Sequence, residues 1–356
     1  MIKKLLWVLL VIGIIVGYIG FTLCIKIFSP NVPEKLENTI ALIPTNSSFS
    51  DVVDILYQNN QLIDTSSFRY VSGMMNFKNN NIRAGRYKIE PSWSNRSIIR
   101  HLRAGIQEPV DLVFNHGWLL EDVAGTVSKF IEADSIGLIR LFRDEAYLQE
   151  SGYTTETLMS LFIPNTYEFY WNTNPESFFA RMIKEHQRFW NTNRLAKASD
   201  LGMTPAEVYT LASIVEREIS KDAEKRRVAG LYLNRLKVGM KLDADPTAKF
   251  ATGDFKATRI LYKHIRFDSP YNTYLHQGLP PGPISMASIK SIDAVLNSEN
   301  HGYYYMCVDP ENPGYHLFAE NIQEHNQNAR RYHRWLDNIE RERKRNNNES
   351  LTSVAN

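Results

Sequence analysis

The feature that most constrains this chain is a run of 21 residues, Leu5 to Ile25, without a single charged side chain. A helix rises about 1.5 Å per residue, so such a run crosses a hydrocarbon core of about 30 Å. Lys3 and Lys4 precede it and only Lys26 follows closely. The excess of positive charge before the run places residues 1–4 in the cytoplasm and the body of the chain outside it. A cleaved signal peptide is the competing reading. Its apolar region should be shorter, about 7–15 residues, and should end in small residues, which Phe21-Thr22-Leu23-Cys24 does not offer. A transmembrane helix over 5–25 is therefore expected.

About 330 residues remain, enough for two domains, each able to bury a core. Lys and Arg number 41 against 39 for Asp and Glu, a net charge of +2 that gives no reason to expect a nucleic-acid partner. Cys24 lies inside the apolar run and Cys307 far outside it, so no disulfide is expected.

The fold class expected is α+β. Residues 26–38 read as a linker. Thr39 to Pro44 reads as a strand, and Ser50-Asp51 as the cap of a helix carrying Val52, Val53, Ile55 and Leu56. Gly85 to Ile89 alternates as a second strand, and Asn95 caps a helix with Ile98, Ile99 and Leu102 that Gly105 ends. These pieces make a small α+β subdomain over 39–110. The larger domain, 111–337, opens on a strand at Val110 to Phe114. Helices are expected near 120–132, 177–190 and 288–298, and two more over 204–239. Long loops over 240–287 and a strand from Tyr303 to Val308 complete it. Residues 338–356, dominated by charge and asparagine, read as a flexible tail.

Three places carry chemistry. Thr204-Pro205 opens a helix whose apolar stripe is Val208, Leu211, Ala212, Val215 and Ile219. At about 100° per residue, Glu216 and Glu218 fall on opposite edges of that stripe. Glu218 has Ile214 and Leu211 on its flank, and an apolar flank raises a carboxyl pKa, as a general acid at neutral pH requires. The plainer alternative is two boundary glutamates on an amphipathic helix. The second place is Asp243-Ala244-Asp245-Pro246-Thr247, able to bond a sugar or simply to cap a turn, and short of ligands for a calcium loop. The third runs from Ser269 to Ile284, with Tyr271 and Asn272 followed by a Pro/Gly-rich stretch. Tyrosine rings stack on sugars and amides bond hydroxyls, or else the segment is a rigid connection. His316 and His325 match no zinc spacing and read as structural, so no metal site is expected.

In their order along the chain these segments resemble the endolytic murein transglycosylase family (MltG, YceG-like). The resemblance rests on Leu211-Ala212-Ser213-Ile214-Val215-Glu216-Arg217-Glu218, Asn234-Arg235-Leu236, Asp245-Pro246-Thr247, Pro270-Tyr271-Asn272-Thr273-Tyr274, Gly278 to Ile284, and His316-Leu317-Phe318 with Glu324-His325-Asn326. It implies a membrane helix, a LysM-like subdomain and a catalytic domain. It also implies an outer-side enzyme of the bacterial cytoplasmic membrane that cuts MurNAc–GlcNAc bonds of peptidoglycan to 1,6-anhydro ends, without cofactor, and ends strand growth. Glu218 is the implied catalytic residue, with Glu216, Asp245, Tyr271 and Asn272 supporting it or holding sugar. Peptidoglycan synthases are candidate partners. A non-catalytic glycan-binding or synthase-scaffolding protein is the alternative. Two segments depart from the family pattern: Asn115-His116-Gly117-Trp118, where a Glu-Gly pair is usual, and Asn165, where aspartate is usual.

Overall fold

The computed structural model describes residues 2–78, 81–115 and 117–354, with side chains followed to Glu342; His116, noted above, lies outside them. The chain is a mixed α+β protein whose described strands form three two-stranded sheets. It divides into two units. The first comprises Met1–Leu112 and takes back Thr126–Ser135 and Thr166–Ser177; the second holds Val113–Gly125, Ile136–Asn165 and Phe178–Asn356.

In the first unit α1 (Ile2–Phe28) is one unbroken helix with no buried side chain, long and apolar enough to cross a membrane. Then come β1 (Ile40–Ile43), α2 (Phe49–Gln58), α3 (Thr65–Met74), β2 (Gly85–Lys88), α4 (Asn95–Ala104), β3 (Val110–Val113) and β4 (Thr166–Phe169). β1 and β2 pair antiparallel, Ile40 opposite Lys88 and Ile43 opposite Gly85. Val52, Leu56, Phe68, Val71, Tyr87 and Ile98 fill the core beneath them.

The caps sit slightly upstream of the sequence reading. Ser48 caps α2 in a reciprocal box with Asp51, and Ser94 caps α4, which ends on Gly105 at φ 68°. Helix α3 was not legible, because Thr, Ser, Tyr, Val and Gly are weak helix formers. It forms because Asp64 caps it and Phe68 and Val71 are buried. The segment 26–38 is not a free linker. The amides of Asn31 and Val32 both donate to the Trp93 carbonyl, and Val32 is buried.

Asn95 ties the unit together from a fully buried position. Its Nδ2 donates to the carbonyl of Lys26 at 2.9 Å and to Ser67 Oγ at 3.1 Å, and its Oδ1 accepts from Asn31 at 2.6 Å.

The second unit contains α5 (Leu120–Val127), α6 (Ser135–Phe142), α7 (Glu145–Glu150), α8 (Pro175–Phe189) and α9 (Thr192–Asp200). They are followed by α10 (Pro205–Glu218), α11 (Asp222–Lys237), α12 (Asp245–Thr252), α13 (Tyr262–Ile265), α14 (Ile289–Leu296), β5 (Tyr305–Val308), β6 (His316–Ala319) and α15 (Ile322–Val354). α10 is the axis of the core: every residue from Val208 to Val215 is buried. Burial on every side marks a helix surrounded by other elements.

Three features depart from expectation. Helix α12 interrupts the region read as loops, because Asp245-Pro246 opens a helix instead of closing a turn. β6 pairs with β5 as a hairpin. α15 stays helical to Val354 across residues read as a tail, where Glu, Arg and Lys favour helix.

Asn95→Ala should destabilise the first unit by about 2–3 kcal/mol, because it strands Asn31 and a carbonyl in the interior. Hydrogen exchange on the full-length chain in detergent should show faster exchange in 26–104 and no change around α10.

Candidate active site

A cleft of about 430 Å³ opens in the second unit between the C-terminal end of α10, α11, the start of α12, and the β5–β6 hairpin with α15. Its floor is Glu218, the last residue of α10. That helix is fixed at both ends. Thr204 and Glu207 form a capping box at its start, with proline at the first turn. Further along, Tyr209 donates from its hydroxyl to the Phe162 carbonyl and accepts from the Ala287 amide, while Ser213 Oγ accepts from the Ile284 amide at 3.0 Å. The Pro/Gly-rich stretch thus packs inside, against α10. Gly282 must be glycine there, since a Cβ would lie 2.0 Å from the Glu156 carbonyl oxygen.

Glu218 is in part accessible, yet its Oε2 is sealed from solvent and has no hydrogen-bond partner. Burial pushes its carboxyl up to about 7, and the nearby charge of Asp245 adds to the rise; Tyr232, Arg235 and Lys249 oppose it. The negative end of the α10 dipole acts in the same sense as burial.

Asp245 stands at the mouth of α12 and accepts a hydrogen bond from the Tyr274 hydroxyl at 2.5 Å. This pairing is built by hydroxyls underneath. Thr273 Oγ1 accepts from the Ala244 amide and lies 2.8 Å from Thr247 Oγ1, which clamps the Tyr274 segment to the start of α12. Arg235 braces another wall, donating to the carbonyls of Leu242 at 2.7 Å and Tyr304 at 2.6 Å, and pairing with Asp243 at 3.6 Å. Asp243 sits at φ 46°, a left-handed geometry that aspartate tolerates better than most residues.

The structure therefore brings Glu218 and Asp245 together and leaves the other three named residues elsewhere. Glu216 points away from the cleft. It accepts from the hydroxyls of Ser288 and Ser291 and pairs with Lys225 Nζ at 3.2 Å, tying α10 to α14. Burial works against its charge, but these hydroxyls and Lys225 prevail and hold its carboxyl below the ordinary range. Asn272 is fully buried. Its Nδ2 donates to the carbonyls of His264, Ile265 and Phe267, and its Oδ1 accepts from the Tyr274 amide. Fully buried and engaged at both atoms of its amide, it stands away from the cleft and pins the loop. Tyr271 packs its ring on Phe250, centroids 4.8 Å apart, outside the cleft.

Sequence reasoning missed Tyr232, Arg235 and Tyr274, and it read His316 and His325 as structural although both line the cleft. The signal for Arg235 and Tyr274 was present in the motifs that contain them. For Tyr232 nothing local distinguishes a cleft tyrosine from a core one.

The sequence profile of the YceG-like family matches residues 41–331, and the chain belongs to that family. Among its relatives is the endolytic murein transglycosylase of Bacillus subtilis, 27% identical over 309 residues, 82% of this chain and 83% of that protein. The endolytic murein transglycosylase of Streptococcus pneumoniae strain D39 is 24% identical over 88% of this chain, which spans 62% of the pneumococcal protein. A crystal structure of a YceG-like protein from Listeria monocytogenes shares the fold with a TM-score of 0.55 and 26% identity, covering 81% of this chain and 97% of that one.

Asn272→Ala should cost about 2–4 kcal/mol by leaving the Ile265 and Phe267 carbonyls and the Tyr274 amide without their side-chain partner. Its melting temperature should fall by roughly 5–15 °C. Any loss of activity should follow the unfolded fraction measured in the same sample.

Proposed function

We propose that this protein is a membrane-anchored endolytic lytic transglycosylase that cuts peptidoglycan glycan strands between N-acetylmuramic acid and N-acetylglucosamine. The observation that carries the reading is the Glu218 carboxyl, pushed up to about 7 by burial, with one oxygen sealed and without a partner, inside a cleft open to ligand. The names of the relatives point the same way. A group with that pKa donates a proton at neutral pH and takes one back with little loss of driving force. Glycosidases ordinarily divide the work between two carboxyl groups. Here Glu218 performs both halves in turn. It protonates the bridging oxygen as the bond to C1 of the muramic acid breaks, and the sugar's own acetamide stabilises the developing cation. The C6 hydroxyl then closes on C1 and returns its proton to Glu218. One C–O bond breaks, one forms, no water is consumed, and a 1,6-anhydro end results. Asp245 and its Tyr274 partner serve to hold sugar hydroxyls and to keep the proton on Glu218.

The anchor reading places α1 in the cytoplasmic membrane with the body outside. The β1-α2-α3-β2 arrangement serves as a LysM-like glycan-binding subdomain. An enzyme so placed meets nascent strands as synthases extrude them and sets their length.

Glu218→Gln should lower turnover by about 10²–10⁴-fold while the chain stays folded. Wild-type products should end in 1,6-anhydro-N-acetylmuramic acid by mass spectrometry; reducing ends would sink the proposed chemistry. The wild-type rate should fall as pH rises above about 7, as the acid loses its proton.

Stability should follow the same titration. The folded value lies above the ordinary 4.5, so the folded chain keeps a proton that the unfolded chain releases. The contribution is present below pH 4.5 and is lost as pH rises through 7. Relative to wild type, Glu218→Gln should therefore gain stability between pH 5 and pH 8, by on the order of 3 kcal/mol at most. Topology is checked separately: a reporter fused after Asn356 should be active only outside the cytoplasm, and a mature N-terminus near residue 28 would refute the anchor.

A further inference from the structure

The wall facing Glu218 holds a second acid–base pair. His316 begins β6, opposite Val308 across the hairpin, and its ring lines the cleft. Glu224, in the first turn of α11 and only 4% exposed, grips it with both oxygens. Oε1 accepts the His316 amide at 3.0 Å, and Oε2 lies 2.9 Å from Nδ1. The tautomer that satisfies this contact carries its hydrogen on Nδ1, donated to Oε2, and leaves the lone pair on Nε2. That nitrogen has no partner among the described residues. On the same wall His325 stacks on Tyr305, with centroids 5.3 Å apart, and its Nδ1 is sealed without a partner. Holding a strand end in place requires only the amide bond. The second oxygen of a buried glutamate is spent on setting the imidazole.

We propose that His316 contacts substrate: its Nε2 accepts a hydroxyl hydrogen of the sugar seated in the cleft and so fixes the ring for proton transfer from Glu218. Glu224 is the positioning residue that sets the tautomer. The inference rests on the glycan reading above and adds a specificity contact to it. A carboxylate bonded to Nδ1 with Nε2 left free is the device by which proteins aim an imidazole at a reacting partner.

The side-chain amide of asparagine overlays Nδ1 and that of glutamine reaches the position of Nε2, so the two replacements separate structure from contact. In full-length protein in detergent, acting on amidase-stripped glycan strands, His316→Asn keeps the bond to Glu224. It should melt within roughly 2 °C of wild type and yet lose at least about tenfold in kcat/KM. His316→Gln should retain more activity than His316→Asn despite a lower melting temperature. Wild-type kcat/KM in His316→Asn, or losses that follow only the folded fraction in both variants, would overturn the contact.

Should His316→Asn fail to fold, 15N-histidine spectra of the full-length Glu218→Gln chain decide the matter. The Nε2 resonance of His316 should move on saturation with stripped strands, and an unmoved resonance would overturn the proposal. If the wild type releases no anhydro products, the glycan reading fails. If it does release them and His316→Asn matches it, only this inference fails.

Discussion

The constraint that organises the cleft is the burial of the Glu218 carboxyl, one oxygen of which is sealed from water without a partner, an environment that favours the proton-bearing form. The group must also be held still, since a carboxyl free to swing would find a partner or water. Its helix is buried along eight successive residues and is pinned through Tyr209 and Ser213 to the stretch running from Ile284 to Ala287. Rigidity at this point comes from the core itself and owes nothing to the loops around the cleft.

Glu216 and Glu218 show how one helix supplies two opposite environments. Two residues apart, they project to different flanks. Glu216 meets two serine hydroxyls and a buried lysine, and its charge is held in place. At Glu218 burial and the charge of Asp245 outweigh Tyr232, Arg235 and Lys249, and its carboxyl is pushed up. Divergent pKa values in a pair of carboxyls mark a division of roles. Here the division lies between a structural tie, Glu216 to α14, and the acid proposed for the cleft.

That division was half legible in the sequence. Helical spacing alone put the two glutamates on opposite edges of an apolar stripe, and the flank of Glu218 was the more apolar. Spacing could not show what stood across from each, because Ser288, Ser291 and Lys225 come from other elements. The same limit explains Asn272. An asparagine beside tyrosines reads as sugar chemistry, and only the fold reveals three carbonyls gathered around its amide. Strands β1, β2, β3 and β5 and the helix pair α10–α11 were legible because their periodicity is their own. Helix α3 and strand β6 were not, because burial and hairpin pairing override weak local preference.

One side chain that sequence reasoning passed over joins most of the cleft. Arg235 reaches from α11 to the carbonyls of Leu242 and Tyr304, to Asp243, and to the Tyr305 ring at 5.7 Å. A lysine could not replace it, having one point charge where the guanidinium spreads its donors over several directions. The same cation lies close enough to Glu218 to oppose the rise that burial and Asp245 produce. That opposition is shared with Tyr232 and Lys249, and together they limit the rise. With too much opposition the proton would be absent at neutral pH. The brace that shapes the cleft therefore also tunes the acid, and the two duties cannot be separated by any change that moves the guanidinium.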